Sequence, residues 1–268
     1  MNNLHRDLAP ISDPAWAQIE EEARRTFTAN LAGRRVVDVE GPAGPALSAV
    51  GTGHLRSIDT LVEQVRSRQR VVQPLVELRA EFTVTRAAVD DVERGAQDSD
   101  WQPVKDAARR LAIAEDRVVV NGYPAAGIGG IVAGSSNAPI PLPTEVDQFA
   151  DVVAQAVSEL RLAGVAGPYS LLLSAETYTQ VAEATDHGYP IRDHVARTLG
   201  EGGQVVWAPA ISGGLLVSTR GGDHQLQLGR DTSIGYLSHD AETITLYLEE
   251  SIAFLAFTAE ASVVLPTR

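Results

Sequence analysis

Charged side chains beside loops are the residues of this chain best suited to chemistry. Arg34, Arg35 and Asp38 stand together in Gly33-Arg34-Arg35-Val36-Val37-Asp38-Val39-Glu40-Gly41-Pro42. The valines predict a strand from Val36 to Val39 that stops at a Gly-Pro turn. An aspartate is disfavoured in such a strand and costly to bury without a partner. Arg34 or Arg35 is the partner that the sequence offers. On local physics alone the segment reads equally well as a half-exposed strand with a surface ion pair, which is worth little.

Other constellations fail on spacing. The six histidines are His5, His54, His187, His194, His224 and His239, and none forms an HExxH pair. His187 and His194 flank a proline at a poor ligand spacing. There is no Gly-x-Ser-x-Gly elbow for a serine hydrolase. Gly127-Ile128-Gly129-Gly130 lacks the Lys-Ser/Thr pair of a phosphate loop and reads as a turn. Asp90-Asp91 and Glu249-Glu250 point to different faces if extended, and read as solvated surface rather than as a paired-carboxylate site. The chain has no cysteine, so disulfides, thiolate chemistry and Cys-based zinc sites are excluded. No cofactor and no metal are expected.

The elements around these residues are legible from their periods. Asp13-Pro14 predicts a helix start, with Asp13 as N-cap. Trp16, Ile19, Ala23, Phe27 and Leu31 follow on one face. Residues 43–73 alternate apolar, arginine and acidic positions around Gly44, Gly51 and Gly53. They predict an extended hairpin that cannot bury itself; a loop of this length is usually functional or disordered. Leu75 to Val84 reads as a strand. A long helix from Trp101 to about Asn121 carries Val104, Ala107, Leu111, Ala114 and Val118 on its apolar stripe. Ser135 to Pro143 is the best candidate linker. An amphipathic helix follows, with Val146, Phe149, Val153, Ala156 and Leu160 on its apolar face. Strands at 171–173, 205–207 and 215–217, with helices at 175–183 and 191–199, make an α/β unit. Thr243 to Leu248, Ile252 to Phe257 and Ser262 to Leu265 read as separate strands near the end.

Composition narrows the function. A chain of 268 residues with 44% hydrophobic and 21% charged residues is folded rather than disordered. The formal net charge is -13, with no basic arm. Nucleic-acid binding normally needs a basic face, so no nucleic-acid partner is expected. No apolar run reaches transmembrane length, and the N-terminal residues lack a signal-peptide core. No membrane partner and a cytoplasmic location are expected.

Several segments in order resemble encapsulins, the bacterial nanocompartment shell proteins with the HK97 phage-capsid fold. They are Leu8-Ala9-Pro10-Ile11, the segment from Gly33 to Pro42, Pro74 to Phe82, Val92-Glu93-Arg94-Gly95 and Gly167-Pro168-Tyr169. His187-Gly188-Tyr189-Pro190, Gly221-Gly222-Asp223 and Leu228 to Tyr236 complete the set. The resemblance implies an α+β, HK97-like fold. Its divisions are an N-terminal helix with the start of a peripheral domain (1–42), an extended loop (43–73) and a peripheral domain with a spine helix (74–135). An axial domain (136–219) and C-terminal strands, mainly peripheral (220–268), complete it. It also implies a non-enzymatic protomer that self-assembles into a closed icosahedral shell, most simply of sixty copies with T=1 symmetry. The implied cargo is a dye-decolourising peroxidase or ferritin-like enzyme carrying a C-terminal targeting peptide, tied to oxidative stress or iron storage. By the same resemblance Phe27, Arg34, Asp38 and Ile234 bind that peptide, and Asp186, His187, Gly188 and Tyr189 line a five-fold pore. The family includes flavin binders, but Thr85 to Val89 offers no aromatic platform. The alternative is a protease-like hydrolase on an α/β scaffold.

Overall fold

The computed structural model describes residues 3–186 and 189–267. α1 (Asp13–Asn30) starts one residue earlier than Asp13-Pro14 suggests. Ser12 is the N-cap and its hydroxyl accepts from the Ala15 N–H, while Pro14 falls in the first turn, where no N–H is needed. Trp16, Ile19, Ala23 and Phe27 are buried as the period requires. Each large side chain among them contributes about 1.5–3 kcal/mol to docking the helix.

The strand expected over Val36 to Val39 is displaced. A 3-10 turn occupies Gly33–Arg35, and β1 is only Asp38–Glu40. The reason is Asp116, whose carboxylate accepts the N–H groups of Ala32 at 2.9 Å and Gly33 at 2.7 Å. A Cβ on Gly33 would lie 3.0 Å from that carboxylate, so glycine permits the approach.

β2 (Ala49–Ile58) and β3 (Ser67–Pro74) pair antiparallel as a two-stranded arm. Its apolar side chains stay in solvent, Leu61 at 94% exposure. β4 (Val76–Thr85) follows, and Thr85 caps α2 (Arg86–Glu93), a helix too short to show a period in sequence. α3 (Gln102–Asn121) runs through the centre and stops at Gly122. That residue has a φ of 83°, and a Cβ there would sit 2.5 Å from the Gly130 nitrogen. β5 (Gly122–Tyr123), β6 (Ile128–Gly129) and the one-turn α4 (Ile131–Gly134) form the bend beyond it.

The next part alternates helix and strand. It comprises α5 (Phe149–Leu162), β7 (Tyr169–Leu173), α6 (Ala175–Glu183), the two-residue β8 (Thr185–Asp186) and β9 (Tyr189–Pro190), and α7 (Ile191–Leu199). β10 (Gln204–Trp207) and β11 (Gly214–Ser218) complete it. The C-terminal part is strands: β12 (His224–Leu228), β13 (Ser233–His239), β14 (Thr243–Ala256) and β15 (Ser262–Leu265). Two runs expected as separate strands are thus one, β14. β4 pairs with it without a break from Thr243 to Ile252.

Two main sheets result. One has the order β1-β12-β14-β13, with β4 also on β14; the other has the order β10-β7-β11-β15. The final strand, β15, therefore returns to the sheet built from residues 169–218. One core joins α1, α2 and α3 to β4, β13 and β14. A second lies between α5, α6 and α7 and the four-stranded sheet. A third, with Val118, Val119, Leu172, Val217, Leu226 and Phe254, welds the two sheets together.

Candidate functional site

A cleft of about 570 Å³ opens between α1 and the five-stranded sheet. Ala23, Phe27 and Leu31 form the helix wall, and Ile234 and Leu248 the sheet wall. The helical period puts the first three on one side, and the register of β13 on β14 places Ile234 opposite Leu248. Arg6, Glu20, Arg24, Arg35 and Asp231 also line the cleft.

Arg34 joins the two walls. Its guanidinium carbon stands 5.2 Å from the Phe27 ring centroid, a cation-π contact. Nε and Nη2 donate to Glu115, at 2.9 and 2.6 Å, and Nη1 donates to Asp231 at 2.8 Å. Nη2 also reaches Glu250 at 3.2 Å. Burial works against the Arg34 charge, but Glu115 and Asp231 outweigh it and hold the guanidinium above its ordinary range. Asp116 lies behind this group. Burial pushes its carboxyl up to about 7, against the opposing pull of the Gly33 and Ala32 N–H groups.

Three of the four residues expected at a peptide site, Phe27, Arg34 and Ile234, line this one cleft. Asp38 does not. Its carboxylate accepts the Gly222 N–H at 2.6 Å and lines an adjoining cavity of about 110 Å³. The expected Asp38–arginine pair is not formed, because Arg34 turns inward to the acids and Arg35 donates to Gln204 at 3.2 Å. Arg35 lines both cavities and connects them. His224, also in the smaller cavity, is buried with both ring nitrogens unbonded, and burial lowers its pKa. For the expected pore, Thr185 and Asp186 pair with Pro190 and Tyr189, and Tyr189 is exposed. His187 and Gly188 lie outside the described residues.

Sequence reasoning missed the acids beneath the cleft. Glu249 and Glu250 are buried, not solvated, since β14 has neighbours along its length. Alternation sends Glu250 toward Arg34, while Glu249 accepts from Arg79 at 2.9 Å and Arg230 at 3.2 Å. Glu115 is fully buried and Ala114, expected on the α3 stripe, only half-buried. The available signal was that Glu115 stands four residues after Leu111 and eight after Ala107 on the same helical face.

Residues 1–253 match the family model for the "encapsulating protein for peroxidase". The chain belongs to this family. A type 1 encapsulin shell protein of Brevibacterium linens is 63% identical, with 98% of each chain covered. Among solved structures, a virus-like particle from Pyrococcus furiosus superimposes with a TM-score of 0.67 at 15% identity, covering 93% of this chain and 98% of that one. The capsid of the myovirus phage XM1 gives a TM-score of 0.53 at 13% identity, covering 87% and 90%. The fold is therefore the α+β fold of HK97-like capsids. The protein is an encapsulin shell protein rather than an enzyme, and the hydrolase alternative is set aside. Among the described residues no helix is long and apolar enough to cross a membrane.

Proposed function

We propose that this encapsulin protomer builds a closed cytoplasmic shell of sixty copies with T=1 symmetry, and that its cleft docks the C-terminal targeting peptide of a cargo enzyme. A dye-decolourising peroxidase or a ferritin-like protein is the cargo class. The observation that carries this reading is the cleft itself, with apolar walls of Phe27 on one side and Ile234 and Leu248 on the other, joined by an anchored Arg34. Such a groove suits a short extended peptide with small apolar side chains. Each well-buried anchor contributes about 1.5–3 kcal/mol, and the charged groups add orientation and specificity. A peptide that runs past Arg35 reaches Asp38, which gives that residue a role at the cleft's far end. We assign Asp186, His187, Gly188 and Tyr189 to the five-fold pore on the family resemblance.

The test begins with mass spectrometry of particles purified from the native host, which names the cargo. Loading is then measured for Phe27→Ala, Ile234→Ser and Asp38→Ala shells that still assemble. Loading should fall at least about tenfold for Ile234→Ser, the equivalent of one lost anchor. Undiminished loading in all three would place the peptide elsewhere.

A further inference from the structure

Two acids without solvent contact meet beneath the cleft. Glu115 on α3 and Glu250 on β14 are both fully buried and share Nη2 of Arg34, at 2.6 and 3.2 Å. Sharing one nitrogen brings the two carboxylates close together. Two carboxylates held this close and out of water cannot readily both be ionised, so one of them favours keeping its proton. Oε1 of Glu250 is buried with no hydrogen-bond partner, a poor place for an ionised oxygen.

The surrounding charges agree. Arg34 comes from the turn after α1 and Asp231 from the loop before β13, and the Thr232 hydroxyl donates to Glu250 at 3.2 Å. Asp116, the next residue on α3, is turned to the Ala32 and Gly33 N–H groups. Glu249, with Arg79 and Arg230, lies on the other side of β14. One guanidinium therefore faces three acids, two of them out of water. Burial, with the Glu115 carboxylate beside it, raises the Glu250 pKa well above the usual carboxylate range.

We propose that the Glu115–Glu250 pair, holding one proton between its carboxylates, is a pH-sensitive latch that positions Arg34 and sets the width of the cleft. With the proton present, α3, β14 and the turn after α1 are clamped around Arg34. Loss of the proton to solvent leaves two like charges against a guanidinium already shared with Asp231. The clamp loosens and the α1 wall moves off the sheet. The consequence for cargo rests on the proposed role of the cleft, but the latch does not. Shells would hold cargo tightly in acid and release it more readily in alkali.

The chain has no cysteine, so Arg24→Cys and Ser233→Cys place spin labels on the two cleft walls without background. In particles assembled mostly from unlabelled protomers, the distance between labels should lengthen as the pH is raised from acid to alkaline. Glu250→Gln, whose amide keeps the neutral form, should abolish the change. Glu115→Gln, which removes the like charge, is the second variant should the first not fold. A distance that ignores pH in the parent shell, or the same pH response in both variants, overturns the latch. The cargo arm uses a synthetic peptide matching the last residues of the co-purified enzyme. It should bind at least about threefold more weakly at the higher pH, and only in shells with both acids. A label distance that moves while this peptide ignores the cleft upholds the latch and refutes the cargo reading.

Discussion

Arg34 owes its place to three acids from three separate parts of the chain, Glu115, Asp231 and Glu250. Removing it strands buried negative charge, which costs about 3–5 kcal/mol when one partner of a buried pair is lost. Arg34→Ala should therefore lower the thermal midpoint markedly as well as reduce cargo loading, whereas Asp38→Ala, at a half-buried position, should act mainly on loading. Calorimetry alongside loading assays separates the two effects. Asp116 adds a pH dependence of its own. Its folded pKa of about 7 lies above the ordinary 3.8, so its contribution to stability is present in full below about pH 4. That contribution is lost as pH rises toward 7. The midpoint should fall from about pH 5 to about pH 8, and Asp116→Asn should flatten part of that slope.

At the scale of elements, the arm formed by β2 and β3 is the clearest case of structure waiting for a neighbour. Leu61, Val62 and Val65 at its tip are all exposed, and an exposed apolar patch usually marks an interface. Deleting residues 43–73 should abolish particles while leaving soluble small species or aggregates. Intact shells in negative-stain micrographs would refute the arm's role. The arm, α1 and α3 were legible because each follows one local period, and β7, β10 and β11 because each is a short apolar run buried on both faces or nearly so. What stayed hidden depended on distant partners. Glu115 breaks the apolar stripe of α3 for the sake of Arg34 and Glu250, which no window of local sequence contains. Val36 and Val37 carry strand propensity, yet Asp116 holds the preceding residues in a turn. Asp38 was recognisable as unusual, but its partner, the Gly222 backbone, has no side chain to advertise it.

For the whole molecule, an encapsulin shell protein of 28.5 kDa should elute near the void volume in size-exclusion chromatography, far from the position of a small oligomer. The net charge of -13 argues against packaged nucleic acid. Particles made without cargo should show no peroxidase, ferroxidase or protease activity after stringent purification; retained activity would contradict the assignment.

The long strand β14 also has a mechanical consequence. Its 14 residues pair with β4 over ten consecutive positions and with β12 and β13 besides. Tension along its axis loads those hydrogen bonds in shear, so many must rupture together. Tension across the β2–β3 arm unzips its bonds one after another. A protomer loaded through its arm should therefore open between β2 and β3 before β14 yields. Force spectroscopy on single protomers should find the higher rupture force when the load runs along β14.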